Sequence, residues 1–282
     1  MTKNTKFGVL YIVATPIGNL QDISKRALST LSKVDLCAAE DTRKSKVLLD
    51  KYNLEKKLIS YHKFSEKKKL ELLISFLRKG KNIALISDSG TPLISDPGYL
   101  LVKKALEEEI TVSPIPGPSS LISALSVSGI STDTFTFYGF APRQIKAKEL
   151  FIKSLIADKK TSIVFESKNR IISFIEKLSE LSPDRNIFLA REMTKIHETF
   201  YKGKANQVLK KLILKKEQIK GEFVLIIEGN KEINNQLFLS NEQEEVLKVL
   251  MEKMGRKEAL SLASKSFGIS KNLIYKLLLE EK

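Results

Sequence analysis

In the segment Asp88-Ser-Gly-Thr-Pro-Leu-Ile-Ser-Asp-Pro-Gly98, a carboxylate, a glycine and two prolines follow directly on an apolar run. Residues 82–86 (NIALI) read as a central parallel strand, and ligands of open α/β sheets sit outside the carboxyl ends of such strands. The segment therefore begins where a ligand would lie. Gly90 lets backbone approach a ligand closely, Pro92 and Pro97 fix the path, and residues 99–108 continue as a helix. A plain βα turn fits the same residues, with Asp96 capping the helix and Pro97 opening its first turn.

Four other strand exits carry polar chemistry. Ala14-Thr-Pro-Ile-Gly-Asn-Leu20 places Pro16, Ile17 and Gly18 at the end of the leading strand. Glu40-Asp-Thr-Arg-Lys44 reads either as a helix cap with an Asp41–Arg43 ion pair or as a substrate-facing cluster beside the Asp88 loop. Phe165-Glu-Ser-Lys-Asn-Arg170 and Leu189-Ala-Arg-Glu-Met-Thr-Lys195 repeat one design, in which a strand exits into a carboxylate and cations. Neither GxGxxG nor GxxxxGK[ST] is present, so a phosphate-cradling nucleotide loop has no support. His197 reads as a surface or satisfied histidine, and no Ser-His-Asp or Cys-His arrangement can be assembled.

The elements that must position these residues alternate strand and helix. Strands are expected at 8–14, 35–39, 57–61, 82–86 and 110–115, with helices at 23–31, 42–51 and 67–79 between them, which specifies an α/β domain with a mainly parallel sheet. Pro114-Ile-Pro-Gly-Pro118 interrupts that rhythm as a stiff junction. A second α/β unit follows, with a helix at 119–128, strands near 135–138, 161–165, 187–190, 198–202 and 222–228, and helices near 147–156, 170–181 and 206–216. Its character is more antiparallel. The expected domains are 1–116, 117–230 and a helical, helix-turn-helix-like tail at 240–282, after a polar linker at 230–235. In the tail, Gly268 separates two short helices; Ala259, Leu260, Ala263, Ile269, Leu273, Ile274 and Leu277 form an apolar seam, while Lys257, Lys265, Lys271 and Lys276 supply charge.

The formal charge of +15 invites a polyanionic partner, although 40 of the 48 basic residues are Lys and only 8 are Arg. Arg supplies the planar fork suited to phosphate, which draws attention to Arg43, Arg143 and Arg191. The single cysteine, Cys37, lies in an apolar segment and reads as a small buried hydrophobe, and with His62 and His197 it makes no zinc site. No run approaches the roughly 20 apolar residues of a membrane helix, and the start MTKNTK lacks a signal-peptide hydrophobic region, so a cytoplasmic protein is expected.

The ordered blocks LYIVATPIGNL, AAEDTRKS, ISDSGTPLISDPG, PIPGPSS, FYGFAPR, FESKNRI, LAREMTKIHE and KGEFVLIIEG resemble the bacterial 16S ribosomal RNA cytidine 2′-O-methyltransferase family. The resemblance spans about residues 8–229, and the tail from 256 to 279 is similar to that family's C-terminal segment. It implies the tetrapyrrole-methylase-like, class III methyltransferase fold: two α/β domains with S-adenosylmethionine bound between them, and a small helical C-terminal appendage. By motif it assigns Pro16, Ile17, Gly18, Asp88, Ser89, Gly90, Thr91, Asp96, Ser119 and Ser120 to the cofactor, with Ala190, Arg191, Gly221 and Glu222 closing the site from the second domain. Candidates to help deprotonate a ribose hydroxyl, or to hold the adjacent phosphate, are Glu40, Asp41, Glu166, Glu192 and Lys195. Arg43, Arg143, Glu166 and Arg170 are substrate-side candidates, and no metal is required. The implied partners are 16S ribosomal RNA within the small ribosomal subunit and a second copy of the chain. A tetrapyrrole or other small-molecule methyltransferase of the same fold, and a non-catalytic RNA-binding assembly protein, are the competing expectations.

Overall fold

The computed structural model describes residues 7–214, 220–230, 239, 241–267 and 269–280. The first half holds strands β1 (Leu10–Val13), β2 (Leu36–Ala39), β3 (Lys57–Ser60), β4 (Ile83–Ile86) and β5 (Val112–Ile115), interleaved with helices α1 (Lys25–Lys33), α2 (Thr42–Lys51), α3 (Glu66–Arg78) and α4 (Tyr99–Glu107). The strands form one sheet in the order β3-β2-β4-β1-β5, every pair parallel. All five strands therefore end on the same edge. The short apolar runs LCAA and IALI are buried throughout, as parallel strands covered on both faces require. Leu36, Ala38, Ile83 and Leu85 pack on one face against Leu73, Ile74 and Leu77 of α3 and Leu101 of α4. Cys37, Ala39, Ala84 and Ile86 pack on the other against Ala27 and Leu31 of α1 and Leu48 and Leu49 of α2. Burial pushes the Cys37 thiol up to about 12, which suits a packing role.

The junction begins later than its composition suggests. Pro114 lies inside β5, and because β5 is an edge strand its missing N–H costs no ladder bond. Beyond it come α5 (Ser120–Ser128), β6 (Phe135–Phe140), α6 (Ile145–Ala157), β7 (Thr161–Ser167), α7 (Ile171–Leu181), β8 (Asn186–Arg191), β9 (Thr199–Lys204), α8 (Ala205–Leu214) and β10 (Glu222–Ile227). The second sheet runs β6-β7-β10-β8-β9, with β6 parallel to β7 and the remaining pairs antiparallel. Strand β10, lying between β7 and β8, runs opposite to both. This brings the ends of β7 and β8 and the start of β10 to one edge, with Glu222 opposite Ser167 and Phe223 opposite Arg191. Ile17, from the exit of β1, is buried in the same apolar cluster as Ala124, Met193 and Val224, so the first half plugs into the second.

The tail forms three helices, α9 (Asn241–Lys253), α10 (Arg256–Phe267) and α11 (Lys271–Glu280), the last two being the pair that the sequence pattern suggests and α9 preceding them. Ala259, Leu260, Ala263, Ile269 and Ile274 are buried as the seam predicts, and Lys257, Lys265 and Lys271 are exposed. Gly268, most of the 230–235 linker and the side chains of Leu273, Lys276 and Leu277 lie outside the described residues. Leu247, Leu260, Ala263 and Ile274 belong to an apolar cluster of the tail's own. Because the tail's core is separate, a chain ending at Asn230 is expected to unfold within a few degrees of the full-length protein by differential scanning calorimetry.

Candidate active site

The exits of β1 and β4 are fastened together. Thr15 and Gly90 exchange backbone hydrogen bonds of 2.9 and 3.0 Å, and the Thr15 hydroxyl donates to the Ser87 carbonyl at 3.1 Å. Gly90 sits at φ +83°, a conformation that favours glycine. The Thr91 hydroxyl donates to the Pro118 carbonyl at 3.2 Å, which fixes the β4 exit against the proline junction. Past Thr91 the chain turns through left-handed backbone at Leu93 (φ 73°) and Ser95 (φ 69°) before reaching α4. Asp96 consequently does not cap α4. The N-cap is Gly98, whose N–H donates to the Glu66 carboxylate at 2.9 Å, and Asp96 is turned into a cleft.

That cleft has a volume of about 510 Å³ and is walled by both halves of the chain. Of the residues assigned by motif to a cofactor, Ile17, Ser89, Gly90, Thr91, Asp96, Ser119, Ser120, Gly221 and Glu222 line it. Pro16 and Asp88 line a separate small hollow of about 80 Å³ instead. Gly18, Ala190 and Arg191 support the walls. A side chain at Gly18 would collide with Thr194 Oγ1, 2.7 Å from its would-be Cβ, and Ala190 is buried. The Arg191 guanidinium donates to the Lys220 carbonyl at 2.8 Å. Several cleft residues escaped sequence reasoning: Ile94, Ser95, Leu121, Phe140, Phe165, Ser167, Lys168, Met193, Phe223 and Val224. Each lies in or beside one of the motif blocks. The rings of Phe140 and Phe165 meet edge-on at 5.6 Å.

The candidate proton-handling groups divide by what already holds them. Asp41 caps α2, accepting from the Arg43 N–H at 2.9 Å, and pairs with the Arg43 guanidinium at 2.7 Å, which keeps its carboxyl well below the usual range. The capping alternative thus describes Asp41 and Arg43, and the Arg43 side chain points out to solvent. Both Asp88 oxygens are engaged, one by the Asp41 N–H at 2.9 Å and the other by Lys44 Nζ at 2.8 Å, so Asp88 pins the β2 corner to the β4 exit. Glu192 accepts from Lys195 Nζ at 2.8 Å and from the Glu222 N–H at 3.0 Å. Burial opposes ionisation of Glu192, but these bonds outweigh it and its pKa is lowered; the Lys195 pKa is raised, so Lys195 stays a cation. Neither suits proton acceptance. Thr194 accepts from the Asn19 N–H at 3.0 Å, latching this loop across to the first half.

Glu166 lines the cleft and is paired with Arg170. Glu166 Oε1 lies 2.7 Å from the Arg170 guanidinium and the glutamate side chain is fully buried, while Arg170 also donates to the Ala141 carbonyl at 3.1 Å. These contacts hold the FAPR turn against the end of β7, and Arg143 in that turn is exposed. His197 is exposed, as expected from its sequence setting.

Glu40 and Asp96 remain. Burial is the first cause raising each of them; the Asp88 carboxylate adds to the effect at Glu40. Asp96 reaches about 7, through burial first and then the nearby Glu40, Asp88 and Glu222 carboxylates. An acidic, half-buried pocket that also receives the amino end of α5 at Ser119 and Ser120 offers one region for a cation and another for an anion.

Residues 9–209 match the family model for tetrapyrrole (corrin/porphyrin) methylases. The chain is 43% identical over 269 residues to the ribosomal RNA small subunit methyltransferase I of Haemophilus influenzae, covering 95% of each chain. The chain belongs to this family. The Thermotoga maritima relative of the same name is 44% identical over 222 residues, which is 99% of that protein but 79% of this chain. Among solved structures, the uroporphyrin-III C-methyltransferase of Thermus thermophilus complexed with S-adenosylhomocysteine has a TM-score of 0.56 at 16% identity, covering 78% of this chain and 97% of that one. That likeness establishes the class III methyltransferase fold.

The titration of Asp96 has a measurable consequence. The unfolded chain releases this proton near the ordinary aspartate value of about 3.9, whereas the folded protein holds it to about 7. Across that window the folded state binds more protons, so stability falls as pH rises. Asp96→Asn removes the charge and is therefore expected to raise the melting temperature at pH 8 while changing it little at pH 4. Equal shifts at both pH values would contradict the assignment.

Proposed function

We propose that this chain transfers a methyl group from S-adenosylmethionine to the ribose 2′-hydroxyl of a cytidine in 16S ribosomal RNA, acting in the cytoplasm on the small ribosomal subunit as a homodimer. The observation that carries the reading is the full-length match to relatives named ribosomal RNA small subunit methyltransferase I, 43–44% identical over 95–100% of this chain. The net charge of +15 suits a substrate whose surface is phosphate.

The residues present fit the cofactor. Bound S-adenosylmethionine supplies a methyl group on a positively charged sulfur. Gly90 leaves room for a ligand against the Thr15–Gly90 bridge, since its open face carries no Cβ. Backbone N–H groups of Ser120 and Leu121, in the first turn of α5, hold the carboxylate, where the helix dipole favours an anion. Glu222, on the cleft wall, would face the cationic part of the ligand, and Met193 and Val224 would pack its apolar surface. A ribose hydroxyl is a very weak acid, so alignment and proton removal are the work left to the protein. Asp96 takes that proton. It lines the cleft, and its carboxyl near 7 matches the operating pH of a general base. Lys168, at the rim beside Phe165, steadies an adjacent phosphate.

The tail packs on an apolar cluster of its own, apart from the cores of the two sheets, which supports a reading in which it adds to RNA engagement from outside the catalytic body. Exposed Lys257, Lys265 and Lys271 supply its phosphate contacts.

Transfer of radiolabelled methyl to small subunits that lack the modification, followed by mapping of the ribose, tests the reading. A 2′-O-methylcytidine in 16S RNA is expected; transfer to a tetrapyrrole alone, or no binding of S-adenosylmethionine, would overturn it. Gly90→Val should weaken S-adenosylmethionine binding by at least about tenfold, because a branched residue strains a φ of +83° and fills the approach. Isothermal titration with an unchanged affinity would remove Gly90 from the site.

A further inference from the structure

The β3 to α3 turn carries an aromatic ring with no packing role. Phe64 is 90% exposed, and its ring meets the edge of the His62 ring at a centroid distance of 6.1 Å. The turn presenting it is closed tightly. The His62 N–H donates to Ser65 Oγ at 3.0 Å, while the Ser65 and Glu66 N–H groups donate back to the His62 carbonyl at 2.8 and 2.9 Å. Its base is tied to the cleft, because Glu66 Oε1 accepts from the Gly98 N–H at the end of the Asp96 loop. The acidic side chain of the turn is thus directed inward, and Lys63, Lys67 and Lys68, close to Phe64 in sequence, are exposed as it is. Three consecutive lysines, Lys67 to Lys69, at the start of a helix oppose its dipole, so this charge does not serve the helix.

The turn also leaves the sheet on the cleft edge. All strands of the first sheet are parallel, and β3 stands two strands from β4, or about 10 Å at ordinary strand spacing. An exposed ring on a hydrogen-bonded turn, with exposed lysines one, three and four residues away in sequence, has the composition of a platform on which an unpaired base stacks while the cations hold the flanking phosphates.

We propose that Phe64, with Lys63, Lys67 and Lys68, forms a stacking platform for an unpaired nucleotide of the RNA substrate flanking the one that enters the cleft. This rests on the reading of the chain as an RNA methyltransferase. It adds an RNA-binding surface outside the cleft, which sets RNA affinity without touching the cofactor.

The test uses full-length Phe64→Ala, Phe64→Leu and Phe64→Trp proteins and a Lys63→Ala/Lys67→Ala/Lys68→Ala variant. Each is titrated with a labelled single-stranded RNA oligonucleotide and assayed for methyl transfer to unmodified small subunits. Removing the ring, by Phe64→Ala or Phe64→Leu, is expected to weaken oligonucleotide binding roughly 5- to 100-fold and raise KM for subunits. The Phe64→Trp protein should retain wild-type affinity, with its fluorescence quenched by RNA. The lysine variant should lower the slope of log affinity against log salt by about 0.7 for each phosphate that is no longer neutralised. S-adenosylmethionine affinity should not change in any of them. A Phe64→Leu protein that binds as well as wild type, or a Phe64→Ala protein whose only defect is a changed mass by light scattering, would overturn the platform and point to a protein contact. Failure of the wild-type protein itself to methylate subunits would instead remove the underlying reading.

Discussion

The two hydrogen bonds exchanged by Thr15 and Gly90 are the constraint on which the cleft depends. They form an isolated antiparallel bridge just beyond the parallel β1–β4 pairing, so the two exits turn together. A left-handed glycine is needed for this, and the geometry then propagates. Thr91 is held at the proline junction, Ile17 is carried into the core of the second half, and the chain beyond Thr91 must double back through Leu93 and Ser95 to reach α4. Residues held in left-handed backbone without being glycine cost roughly 1–3 kcal/mol each and persist only where surrounding contacts over-determine them. Here the contacts are the Gly98–Glu66 bond and the Leu93 side chain packed in the core, and the outcome is an aspartate directed into a cleft.

The carboxylates at this edge are kept distinct by their partners. Asp41 and Asp88 are consumed in fixing the β2 corner, and Glu192 is held by a lysine and a backbone N–H. Glu40 and Asp96 lack an ion pair of that kind among the described residues, and burial makes it costly for either to ionise. Glu40 adds its own charge to the pressure on Asp96, and a carboxyl poised near neutrality is what a weakly acidic hydroxyl requires. The same negative pocket favours a cationic ligand before reaction.

The strand pattern, the parallel first sheet and the junction were legible because short apolar runs between polar exits admit few topologies. Helix α2 begins and ends where its sequence predicts, since Asp41 is a strong local cap. Helix α4 likewise begins at Tyr99 as expected, but the alternative in which Asp96 caps it fails, because the N-cap is Gly98. Asp88, adjacent in sequence to a ligand loop, proved to face the β2 corner, a direction that pairing between strands decides and spacing cannot reveal. Phe140, Phe165 and Met193 were hidden for a related reason: an aromatic or methionine on a strand looks identical whether it faces a core or a cleft. Phe64 differs, since an aromatic within Lys63-Phe-Ser-Glu-Lys-Lys-Lys69 has no apolar periodicity to join.

The central claim is that Asp96 accepts the ribose proton, and the pH dependence of single-turnover methyl transfer to small subunits tests it most directly. Wild-type protein should show a rate that rises with pH and levels off above about 7, where the Asp96 carboxyl has ionised. Asp96→Asn should lose both the rising limb and most of the rate while still binding S-adenosylmethionine. A rising limb unchanged in position and height in that variant would contradict the account.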